Sequence, residues 1–132
     1  MSDNIEIDVS EWINYAKGDL HLAEIGLKDE NPPFHTICFL CQASAEKLLK
    51  ALLLKQGWSL KKSHDLLYLG NQLKDFNFDL NEIWTHIVEL NNFISETRYP
   101  GDISIDLYTG KMAKNAFESA KKIQEFILLN LH

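Results

Sequence analysis

The chain has 132 residues, 45% of them hydrophobic and 24% charged, which suits one globular domain and excludes a disordered or collagen-like chain. Its net charge is −6, which disfavours wholesale binding along a nucleic-acid backbone. Apolar runs such as Leu52-Leu53-Leu54 are too short to span a bilayer, and the acidic opening MSDNIEID lacks the layout of a signal peptide; the expected compartment is the cytoplasm, with no membrane partner.

Six glycines and three prolines favour long regular elements over a turn-rich β architecture. Asp8-Val9-Ser10-Glu11 has the form of a helix start. It leaves residues 1–9 as an expected flexible N-terminal stretch. Trp12, Ala16, Leu20, Ala23 and Leu27 then make one apolar helical stripe, which ends before Asn31-Pro32-Pro33. A second helix begins near Phe34 and is apolar nearly all round, so it is expected to be central. It ends at Gly57, a C′ glycine.

Ser63-His64-Asp65 reads as the opening of a short helix carrying Leu66, Leu69 and Leu73, with Ser63 as its cap. Asp79-Leu80-Asn81-Glu82 reads as a capping box ahead of a longer helix bearing Ile83, Ile87, Leu90 and Ile94. Arg98-Tyr99-Pro100-Gly101-Asp102 ends that helix. The last helix runs from about Thr109 to Leu131, and Ala113, Ala116 and Ala120 on its stripe imply a close neighbour. The expectation is one all-α domain over residues 1–132. It is an antiparallel up-and-down bundle of four long helices and one short one, with apolar surface left over that suits a homodimer.

Few residues are placed to carry chemistry. Cys38 and Cys41 form a C-x-x-C without the further ligands of a zinc site or the strand of a redox motif, so they read as core; neither metal nor cofactor is expected. Gln42, Glu46 and Lys50 fall at i, i+4 and i+8 of the apolar second helix, and His35 lies on the same stripe two turns earlier. The row is either a solvated face with a Glu46–Lys50 pair or the lining of a cleft. His64 is either part of a capped first turn or a phosphate or base contact near Lys61 and Lys62. Arg98 is the single arginine beside 12 lysines, and either meets helix-end carbonyls or grips an anion with its fork. His21, His86 and His132 receive no role. Trp12, Trp58 and Trp84 read as core or dimer surface.

The stretch Phe34–Leu53, with Q-x-x-x-E-K-x-x-K over 42–50, is followed by His64-Asp65-Leu66, by Arg98-Tyr99-Pro100 and by an alanine-spaced last helix. In order and spacing it resembles a small stand-alone prokaryotic HEPN domain over roughly residues 10–130. The resemblance implies a helical bundle, usually dimeric, associated with nucleotides or RNA. It also implies a minimal nucleotidyltransferase as partner, in a toxin–antitoxin pair. Many larger members are metal-independent ribonucleases using an R-x(4–6)-H motif. Here Ile103, Ser104 and Ile105 stand where that histidine belongs, removing a group worth about 100- to 10,000-fold in catalysis. A binding module rather than an enzyme is therefore expected, with Arg98, Tyr99, Lys47, Lys50, His64, Gln42 and Glu46 at the ligand. The rival is a metal-independent RNase toxin in which Arg98 pairs with His64.

Overall fold

A computed structural model describes residues 2–59, 61–93 and 105–131. Among them are five α-helices and no strand: α1 (Ser2–Leu27), α2 (Phe34–Lys55), α3 (Leu66–Asp75), α4 (Trp84–Leu90) and α5 (Gly110–Asn130). Single 3-10 turns at Asn91–Phe93 and Ile105–Leu107 follow α4 and precede α5. No helix among the described residues is long and apolar enough to cross a membrane.

α1 and α2 form an antiparallel hairpin. Ile37 lies against Gly26, Ser44 Oγ donates to the Ala16 carbonyl at 2.7 Å, and Lys50 sits over the Trp12 ring. Partner numbers thus fall on α1 as they rise on α2. Small residues permit this approach: a Cβ on Gly26 would stand 3.1 Å from Ile37. α4 runs antiparallel to α5, since His86 meets Ser119 while Asn92 borders Met112. α2 touches all four other helices, and its Leu48, Leu49, Leu52 and Leu53 are fully buried, each contributing about 1.5–3 kcal/mol. The alanine stripe of α5, Ala113, Ala116 and Ala120, is likewise fully buried, as its spacing implies.

The helix ends follow local chemistry. α2 closes in a Schellman motif: Trp58 N–H donates to the Leu53 carbonyl and Gly57 N–H to Leu54, with Gly57 at φ +88°. α3 closes the same way, with Asn77 at φ 72° in the glycine's place. Thr109 caps α5 by accepting from Met112 N–H.

Three helix starts differ from the sequence reading. α1 begins at Ser2, so the helix runs through residues 2–9 and the signal at Asp8 lies inside it. α3 begins after Asp65, not at Ser63. The Asp65 carboxylate accepts from Leu67 and Tyr68 N–H, while Ser63 Oγ accepts from Asp65 N–H, so His64 stands before the helix. Asp79 turns on itself by accepting from Asn81 N–H, and α4 starts only at Trp84. Among the described residues α4 ends at Leu90 and has 7 residues against 26, 22 and 21 for α1, α2 and α5, so these residues hold three long helices and two short ones, while the expected continuation of α4 through Ile94 to Arg98 lies outside them. Side-chain-to-backbone turns at Ser63 and Asp79 compete with helix initiation for the same amides.

Candidate functional site

His35, Phe39, Gln42 and Glu46 follow one another at spacings of four, three and four along one face of α2. At its far end Gln42 Nε2 donates to the His64 carbonyl at 3.1 Å. Glu46 Oε1 lies 2.9 Å from His64 Nδ1, and Glu46 Oε2 accepts from Lys50 Nζ at 2.8 Å. Gln42, Glu46 and Lys50 are 3%, 8% and 5% exposed. The solvated-face alternative is thereby excluded: the row is interior, Glu46 and Lys50 satisfy each other, and Gln42 and Glu46 both bond to His64, as buried polar groups require. The Glu46–Lys50 pair does exist, but inside the protein.

The structure brings together Gln42, Glu46, Lys50 and His64. Lys47, one position round the helix, reaches across to Asp19 on α1 instead and does not join the group. Arg98 and Tyr99 lie outside the described residues. The residues flanking that segment do not. Asn91 Oδ1 accepts from Leu66 N–H at 2.8 Å and its amide donates to Asp65 Oδ1 at 3.1 Å, so the end of α4 is tied to the residue next to His64. Phe93 and Tyr108 meet with ring centroids 6.2 Å apart. Tyr108 in turn packs edge-on against His35 at 4.8 Å, and His35 against Phe39 at 4.2 Å. Both flanks of the Arg98 segment thus border the α2 face that carries Gln42 and Glu46.

Beside the aromatic group opens a cavity of about 290 Å³. Glu89, Asn92 and Asn115 supply its polar groups, and Phe93, Leu107, Tyr108 and Met112 its apolar wall. Glu89 Oε2 accepts from Ser119 Oγ at 2.9 Å, and His86 Nδ1 lies 3.0 Å from that hydroxyl. None of these residues was assigned a role from the sequence. The available signal was faint: His86 and Glu89 stand three apart on the helix that carries Ile83, Ile87 and Leu90, and Ser119 hides in the alanine stripe.

Cys38 and Cys41 are fully buried. Burial pushes the Cys38 thiol up to about 11, with the Glu89 carboxylate adding to it. Burial, then Cys38, pushes Cys41 to about 12. Both are core thiols, without the thiolate character that reactive cysteines need.

The family model described as HEPN domain matches residues 9–131. The chain belongs to the HEPN domain family. Two solved structures are similar to it. The crystal structure of ST0689, described as an archaeal HEPN homologue, is 26% identical with a TM-score of 0.75, covering 94% of this chain and 98% of that one. The crystal structure of TT1696 from Thermus thermophilus is 25% identical with a TM-score of 0.81, covering 92% and 97%. No curated protein matches the chain. The HEPN assignment accords with the all-helical fold and with the order of the Q-x-x-x-E-K-x-x-K, H-D-L and R-Y-P motifs.

Proposed function

We propose that this HEPN chain is a binding module for a phosphate-bearing ligand, a nucleotide or RNA, and works with a minimal nucleotidyltransferase rather than as a nuclease. The observation that carries the reading is convergence. On one flank of the Arg98 segment Asn91 is bonded to Leu66 and Asp65 beside His64, and Phe93 and Tyr108 from the two flanks line the cavity at Glu89, with Tyr108 also packed on His35 of the α2 face that farther along carries Gln42 and Glu46. In this reading Arg98 supplies the bidentate phosphate grip, with Tyr99 beside it. Lys50 and His64 flank Glu46, so the group is not a bare anion that would repel phosphate. Gln42 and Glu46 position His64. Lys47 is held by Asp19 and adds only to the local field.

An outer stripe of α1, Tyr15, Leu22 and Ile25, is more than half exposed; such apolar surface suits a second protein chain, and a homodimer is proposed with the reading. Calorimetric titration of ATP and GMP against wild type and Arg98→Ala tests the ligand. Wild-type binding that Arg98→Ala abolishes is expected, and binding by neither or equally by both refutes the assignment. Co-purification from the native host tests the nucleotidyltransferase partner.

One observation favours a second reading. A carboxylate holding one nitrogen of an imidazole, as Glu46 holds His64 Nδ1, fixes the ring as a general acid–base catalyst requires. A ribonuclease using His64 with Arg98 predicts RNA cleavage in chelator that either His64→Ala or Arg98→Ala removes.

A further inference from the structure

We propose that the cavity at Glu89 is a base pocket and that the base it selects is guanine. The proposal deepens the nucleotide-binding reading and rests on it.

The cavity has a fixed anion on one side. Ser119 is 2% exposed, and its hydroxyl has one proton to give. A carboxylate only accepts, so the proton goes to Glu89 Oε2, and Ser119 Oγ in turn accepts from His86 Nδ1. Glu89 is thus anchored to α5 through one oxygen, and among the described residues Oε1 takes no hydrogen bond. Oε2 itself keeps a second lone pair. Glu89 lines the cavity, and its carboxylate keeps acceptor capacity on both oxygens for a ligand there.

The rest of the cavity fits a flat ring. Phe93, Leu107 and Met112 give it an apolar wall, and Asn115 adds an amide on the α5 side. Its volume of about 290 Å³ lies just below the roughly 300–1,000 Å³ of pockets for drug-sized ligands. That admits a base and leaves the sugar and phosphate outside, towards the flanks of the Arg98 segment.

Hydrogen-bond chemistry then decides which base. Guanine carries the N1–H and the N2 amine side by side, two parallel donors that match the two oxygens of a carboxylate. Adenine and cytosine place a ring-nitrogen lone pair beside their amine, which would face a carboxylate oxygen directly. Uracil offers one N–H between two carbonyls. A guanidinium has the same paired donors as guanine but is too small to cover the apolar wall.

The test is calorimetry on the full chain with GMP, IMP, AMP, CMP and UMP, in wild type and Glu89→Gln. GMP is expected to bind at least roughly tenfold tighter than AMP, CMP or UMP, since one hydrogen bond to a charged group is worth about that. IMP, which lacks the N2 amine, is expected to lose about tenfold against GMP. Glu89→Gln is expected to bring GMP down to the level of AMP while AMP is unchanged. If Glu89→Gln fails to fold, the GMP-to-IMP ratio in wild type decides. Equal binding of all five by wild type overturns the base assignment and leaves phosphate binding standing. A guanine preference that survives Glu89→Gln, or binding of arginine amide without GMP, also overturns it. Binding of no nucleotide at all overturns this proposal together with the reading beneath it.

Discussion

Replacing Glu46 by leucine leaves the Lys50 ammonium, 5% exposed, without the carboxylate 2.8 Å away. What remains to it is the Trp12 ring at 5.5 Å, a cation–π contact worth about 0.5–2 kcal/mol, less than a buried, hydrogen-bonded anion supplies. Removing one partner of a buried pair costs about 3–5 kcal/mol, most of it the desolvation of the orphaned charge. At about 3 °C per kcal/mol for a chain of this size, the midpoint of thermal unfolding should fall by roughly 10–15 °C. The double replacement Glu46→Leu/Lys50→Met removes both charges at similar volume and should recover most of the loss. Lys47→Ala is the control: its pair with Asp19 is about a quarter exposed on each side, and its loss should cost about 1 kcal/mol or less. Urea denaturation at pH 7, read as midpoint shifts at constant slope, measures all three. A Glu46→Leu cost no larger than that of Lys47→Ala would refute the interior placement of the row, and a double variant as weak as the single would refute the pairing.

Gly70→Ala should cost about 1–3 kcal/mol by overpacking, because its Cβ would stand 2.8 Å from Trp84 Cζ3; Gly70→Ala/Trp84→Leu, melted alongside, should recover part of that loss. Asp65→Ala should cost about 1–2 kcal/mol, since it removes the cap of α3 and the acceptor of the Asn91 amide; an unchanged denaturation midpoint would contradict this. The thiols predict the alkaline limb. Their folded pKa values, about 11 and 12, lie above the ordinary 9.0. The unfolded chain therefore loses these protons first, and their stabilisation, complete below pH 9, declines as pH rises towards 11–12. Each thiol contributes a slope of about 1.4 kcal/mol per pH unit in that window, and Cys38→Ala/Cys41→Ala should flatten it in urea titrations at pH 9–11.

The helices and their ends were legible in the sequence wherever short-range chemistry decided them. The stripe of α1, the all-round apolar α2, the glycine after it and the alanines of α5 each act within one or two turns, and each took its expected place. The order of motifs along the chain was enough to suggest the HEPN family. Helix starts were less legible, because Ser63 and Asp79 offer their oxygens to nearby amides in a turn as readily as in a cap.

Tertiary structure alone decided the polar residues. A row at i, i+4 and i+8 has the same spacing whether it faces water or protein, so nothing local distinguished a solvated Gln42–Glu46–Lys50 from the buried network that receives His64. The same holds for Lys47, which one step of about 100° turns from that network towards Asp19 on α1. Glu89, Ser119 and His86 are scattered over 34 positions and become a unit only because α4 and α5 pack antiparallel. Local sequence sets which backbone forms where; which side chains share a site depends on contacts between residues far apart in the chain.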